Sequence, residues 1–210
     1  MKNITKFFVL VLVMITNTFF SQKIDYKNFD AMLASKVLFE KMNYFRDTIT
    51  QTGYGVPFDS IFFETKKDRS LRKLYWSDNV FNLISKPNCL ENIRTGELHH
   101  VDRKEWWNDK NNRKIFSDDV YVFVPKNGVK TCQFTYSENC GVLFQKFETY
   151  QELADFMIMC WEKSYFHRCK QRSGLYSNNS IALGYKVRTA SACCVQYENG
   201  RTWFFFNFVY

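Results

Sequence analysis

The sequence predicts an α/β protein: a three-layer α/β/α sandwich around a central antiparallel sheet. Three observations predict it. The C-terminal stretch 202–210 reads as a strand that is apolar on both sides. Phe204, Phe206, Phe208 and Tyr210 point one way, and Trp203, Phe205, Asn207 and Val209 point the other. A half-exposed antiparallel strand alternates apolar with polar, so this one needs cover on both faces. Helical apolar spacing, moreover, occurs early in the chain and again in its middle, with strand-like segments between and after. Composition agrees. The 210 residues are 46% apolar and 19% aromatic, with 8 Gly and 3 Pro. Such a chain builds a packed core, which excludes intrinsic disorder and low-complexity linkers. No heptad or longer repeat is visible, which excludes coiled coils and solenoids.

The front of the chain reads as a secretory signal. Lys2 and Lys6 precede the apolar run 7–15, which turns polar at Thr16-Asn17-Thr18 and meets a small residue at Ser21. The run is about half the ~20 residues needed to span a bilayer, so cleavage after residue 21 is expected over membrane anchoring. The domain reading is therefore a signal peptide at 1–21 and a single domain at 22–210. No transmembrane span is expected after cleavage, and the expected location is secreted or cell envelope. Cleavage removes two lysines and lowers the formal charge from +8 to +6. No nucleic-acid-binding motif accompanies that charge, so no nucleic-acid partner is expected.

The first helix starts after Asp30, a good N-cap, and carries Ala31, Ala34, Leu38, Met42, Phe45 and Ile49 on one face. Residues 47–73 read as an enlarged loop with a short strand near Ile61-Phe62-Phe63. Ser77 caps a second helix carrying Val80, Phe81 and Ile84, which is expected to stop before Pro87. Residues 88–119 read as polar, with a second enlarged loop at 103–118. Strands are expected at 120–124 and 131–136, joined by a Pro-Lys-Asn-Gly turn. Thr149 and Glu152 form a capping-box pair ahead of Leu153, Phe156, Met157, Cys160 and Trp161, the clearest helix of the chain. Strands follow at 181–187 and 190–197. Asn199-Gly200 then marks a hairpin into the last strand.

All 7 cysteines follow residue 21. An exported chain permits disulfides, and an odd count leaves at least one thiol free or paired between chains. There is no CxxC spacing. Cys193 and Cys194 are adjacent, so in a strand they face opposite sides.

The order of short motifs resembles the CAP superfamily of cysteine-rich secretory, antigen 5 and pathogenesis-related proteins, closest to its bacterial branch. Asn43-Tyr44-Phe45-Arg46 resembles the N-x-x-R of its first helix. Leu74-Tyr75-Trp76 resembles the L-x-W that opens the second, and His100-Val101-Asp102 the histidine after it. Ser137-Glu138-Asn139 resembles its G-E-N, with Ser in place of Gly. Trp161-x-x-Ser164-x-x-His167-Arg168 resembles the bacterial W-x-x-S-x-x-H-R, and Phe205-Phe206-Asn207-Phe208 the closing aromatic strand. The resemblance implies the α/β/α sandwich already read from the last strand. It also implies a central cleft in which His100, Glu138 and His167 converge on a divalent metal such as Zn2+, or on a small ligand. His99 is the alternative to His100. Glu148 and Glu152 are the alternatives for a second acid.

The resemblance implies a secreted CAP-domain binding or interaction module. Its partners would be an extracellular protein, a lipid or a small molecule. No residue is assigned a catalytic role. One alternative is a metal-assisted, peptidase-like hydrolase in which Glu138 acts as base on a metal-acidified water. Another is a structural or adhesion protein with a vestigial cleft.

Overall fold

The computed structural model describes residues 22–52, 73–101, 136–164, 189–197 and 200–209. The signal segment 1–21, the loop 103–118, the strands expected at 120–124 and 181–187, and His167 lie outside the described residues.

Helix α1 spans Ala31–Thr52. Asp30 caps it as expected: its Oδ1 accepts the Leu33 backbone N–H at 2.9 Å. The helix runs on into the segment expected as loop, so 47–52 are helical. A short strand β1, Tyr75–Trp76, leads into Ser77. The Ser77 hydroxyl accepts the Val80 N–H at 3.2 Å and caps α2, Asp78–Val80.

The second helix does not stop before Pro87. A π-helical turn, Phe81–Ser85, follows α2 directly and passes into α3, Lys86–Thr95. The Lys86 N–H reaches back five residues to the Phe81 carbonyl. Widening the helix by one residue there sets Pro87 in the first turn of α3, where no N–H is required of it. The helix thus gains a second half carrying Asn88, Cys89 and Asn92, all buried.

Strand β2 is Tyr136–Leu143. The Ser137-Glu138-Asn139 motif is therefore strand; of the strand expected at 131–136, residues 131–135 lie outside the described residues. Helix α4, Tyr150–Lys163, opens with the expected capping box: Thr149 accepts from Glu152 N–H while Glu152 accepts from Thr149 N–H. Strands β3, Thr189–Gln196, and β4, Thr202–Val209, are joined by the expected hairpin. Gly200 takes the positive φ of 79° that this turn requires.

The protein is thus a mixed α/β structure with a four-stranded sheet in the order β1-β3-β4-β2. The sheet is mixed rather than wholly antiparallel. β2, β4 and β3 pair antiparallel, while the two-residue β1 runs parallel to β3. Leaving the sheet edge through Trp76 lets the chain pass at once into the Ser77-capped helix.

The two sides of β4 enter two different buried clusters, as its sequence predicts. Phe204, Phe206 and Phe208 pack with Leu38 and Met42 of α1 and with Leu153, Met157 and Trp161 of α4. Trp203 and Phe205 pack with Phe81, Cys89, Cys140 and Cys193. Motif residues tie the first side together. The Asn43 amide brackets the Leu74 backbone, accepting its N–H at 2.8 Å and donating to its carbonyl at 3.1 Å. The Trp161 indole donates to the Cys140 carbonyl at 3.0 Å. Among the described residues, no helix is long and apolar enough to cross a membrane.

Candidate metal centre

Sheet register builds the site. Glu138 of β2 lies directly across from Asn207 of β4, and Asn207 lies across from Ser191 of β3. Three polar side chains therefore form one row on the Trp203 side of the sheet, beside a strand with five aromatic residues between 203 and 208. Such a row is tolerated inside a fold only if it is hydrogen-bonded. It is. Asn207 Nδ2 donates to Glu138 Oε2 at 2.9 Å. Asn88 Nδ2, from α3, donates to the same oxygen at 2.5 Å. At the far end, the Ser191 and Ser85 hydroxyls share a 2.6 Å bond. Two amide donors on Oε2 fix the carboxylate and leave Oε1 facing away from them.

His100 meets Oε1. Its Nδ1 lies 2.9 Å from Glu138 Oε1 and 3.7 Å from the Cys140 sulfur. The turn after α3 delivers it there. Gly96 ends the helix in the left-handed region, with φ at 73°, and its N–H returns to the Asn92 carbonyl at 2.9 Å. The Asn92 side chain then accepts the His99 N–H at 2.7 Å, pinning the backbone beside His100. Cys140 joins because it lies two residues beyond Glu138 on one strand, hence on the same face.

The environment is graded. The Glu138 side chain is 3% exposed and that of His100 is 55% exposed. Cys140 is 8% exposed. A buried carboxylate and thiol thus lie under a half-exposed imidazole. The Cys140 sulfur, and with it the Glu138 carboxylate, holds the imidazolium and pushes its pKa up to about 10, against partial burial. The carboxylate contact suffices for that direction, since at 2.9 Å it acts whether or not the thiol is ionised.

One nitrogen of His100 and one ligand atom each of Glu138 and Cys140 lie within 4.8 Å of one another. Imidazole nitrogen, carboxylate oxygen and thiolate sulfur are the donors zinc takes. With both acidic groups ionised, two negative charges stand beside one imidazole, a balance that a divalent cation neutralises. Asn207 Oδ1, buried in the same row, has no hydrogen-bond partner among the described residues. The donor set therefore fits a divalent metal. When bound, such an ion supplies a Lewis-acidic centre on the open, His100 side of the site.

Of the expected residues, the structure brings His100 and Glu138 together, while His167 lies outside the described residues. His99 is not part of the group: its ring faces the Glu97 carbonyl at 3.2 Å. Glu152 is occupied by the α4 cap, accepting the Glu148 and Thr149 N–H groups, and neither Glu148 nor Glu152 joins His100, Glu138 and Cys140. Sequence reasoning missed Cys140, Asn88 and Asn207 as site residues. Cys140 and Asn207 carried a signal, since one is two strand positions from Glu138 and the other is the one polar residue in the aromatic run 203–208. Asn88 carried none, because it follows a proline expected to end the helix.

The 5 described cysteines, Cys89, Cys140, Cys160, Cys193 and Cys194, are free thiols. Cys132 and Cys169 lie outside the described residues. No family model matches the chain, and no curated protein and no solved structure matches it.

Proposed function

We propose that the chain is an exported CAP-like binding module of one domain, 22–210, with a three-layer α/β/α architecture. Its cleft is centred on Glu138 and holds a divalent metal, zinc by donor type, through His100, Glu138 and Cys140. The observation that carries this reading is the convergence of His100 Nδ1, Glu138 Oε1 and Cys140 Sγ, with Oε2 tied by two buried amides. His167, which lies outside the described residues, enters as a further ligand through the family resemblance alone. Support for the CAP reading comes from contacts between separate motif pieces: Asn43 with Leu74, and Trp161 with the strand of Glu138. Support for export comes from the charged, apolar and small-residue order of 1–21.

Asn88 and Asn207 orient Glu138, and His100 closes over it from the solvent side. A ligand enters past His100, the exposed member. A small polar molecule with a carboxylate or carbonyl oxygen is the ligand class suited to a metal held this way. Extracellular proteins and lipids enter as partners through the family resemblance.

Cobalt titration of the full chain tests the reading. Co2+ bound through Cys140 gives a thiolate-to-metal charge-transfer absorption at one equivalent. That band is absent in Cys140→Ser, and binding weakens at least tenfold in His100→Ala. No saturable Co2+ binding by the folded chain would overturn the metal centre.

A further inference from the structure

We propose that Gln22 is a modification site: as the first residue of the mature chain it closes on its own amine into pyroglutamate, a neutral lactam. The proposal rests on the export reading of residues 1–21 and is independent of whether a metal occupies the Glu138 site.

Cleavage after the small residue Ser21 frees the α-amine of Gln22. From that residue on, the chain is tied to the start of α4. Lys23 bridges Thr149 in antiparallel fashion. The Ile24 N–H donates to the Glu148 carbonyl at 2.9 Å, and the Tyr150 N–H donates to the Gln22 carbonyl at 3.3 Å. The Tyr26 hydroxyl accepts the Phe147 N–H at 2.6 Å. Gln22 itself is exposed, and the bond from Tyr150 to its carbonyl is the hydrogen bond it makes among the described residues. Its carbonyl is therefore held by the fold, while its amine and its side-chain amide stay free to meet each other. Lys23 and Ile24 carry no carboxamide, so the reaction belongs to a cut immediately before Gln22.

The α-amine nitrogen attacks the side-chain Cδ. The new N–Cδ bond closes a pyrrolidone ring, and the Cδ–Nε2 bond breaks. Nε2 leaves as ammonia, taking with it a proton from the attacking amine. No oxidant and no co-reactant enter, and the chain loses one ammonia.

The position gives the ring a consequence. Tyr150 is the first residue of α4, and its N–H is one of those that a helix start leaves without an intrahelical partner. The Gln22 carbonyl supplies that partner. Cyclisation keeps this carbonyl and removes the ammonium beside it, a cation that would oppose the dipole at the helix start. It also removes the free α-amine by which aminopeptidases recognise a chain. The residue that completes the α4 start is thereby protected from trimming.

Mass spectrometry tests it. The full chain is expressed with its own residues 1–21, exported and recovered as the mature protein, then digested briefly. A synthetic peptide with the same start and a free amine is carried through in parallel and reports ring closure during handling. The expected N-terminal peptide starts at Gln22, is lighter by one ammonia than its free-amine form and resists amine-directed labelling. In Gln22→Asn, whose shorter side chain would give a strained smaller ring, the peptide keeps its ammonia and takes the label. A mature chain that starts at Gln22 with a free amine overturns the proposal and leaves the export reading standing. A chain that starts at any other residue overturns cleavage after Ser21 and the proposal with it.

Discussion

On one side of β4, Phe204, Phe206 and Phe208 meet the apolar faces of α1 and α4. On the other, Trp203 and Phe205 share their side with Asn207, in line with Glu138 and Ser191. The first side is a conventional core, driven by burial of aromatic area. The second accepts an ionisable carboxylate in its interior, and does so because every member of the polar row has a partner: Asn88, Asn207, His100 and Ser85. A buried acid held by that many oriented groups adds little to stability. It fixes which carboxylate oxygen meets His100. The contrast teaches that one face of this sheet carries an apolar core and the other an oriented polar row, the face to which the proposed metal site belongs.

Substitutions on the two faces should therefore behave differently. Phe206→Ala, in the stacked heart of the first side, is expected to cost about 3–5 kcal/mol in urea unfolding. The metal affinity of the remaining folded protein should stay within about twofold. A large loss of affinity would break the separation of faces.

Asn207→Leu, on the second side, is expected to cost less, about 1–3 kcal/mol, because one amide donor to a buried carboxylate is lost. Metal affinity should fall about 10–100-fold, as for other partners that orient a ligand. A stability loss without an affinity loss would place Asn207 in the core alone. Ser85→Ala leaves the Ser191 hydroxyl without its partner at the far end of the row. It should cost about 1 kcal/mol, read as a shift in the unfolding midpoint, with little effect on metal.

The smallest effect is the pH dependence of the metal-free protein. The His100 pKa is pushed up to about 10 in the folded state, above the ordinary ~6.5 of an unfolded histidine. Its contribution to stability is complete below pH ~6.5 and is lost as pH rises through about 10. Half exposure screens it, so the slope is shallow. Thermal midpoints measured across that window should fall with rising pH, and should fall less in His100→Ala. With metal present the trend reverses for binding, because His100 must lose its proton before it can ligate.

Much of the fold was legible from local pattern. The Asp30 and Ser77 caps, the Thr149–Glu152 box, the Gly200 turn and the two-faced β4 each depend on neighbours in sequence. The helix through Pro87 was not legible, because no residue pattern announces the π turn that admits the proline. The parallel β1 was hidden for a similar reason: two residues give no period. Of the site, His100 and Glu138 were legible through the motif resemblance. Cys140 and Asn207 needed the register of β2 on β4, and Asn88 needed the extended helix.

Zinc titration calorimetry on the full chain at pH 7.5 tests the central claim most directly. The account predicts one saturable site, weakened at least tenfold in both His100→Ala and Cys140→Ser, with the fold of each variant intact by circular dichroism. Absence of saturable binding to the folded chain, or unchanged affinity in both variants, would contradict it.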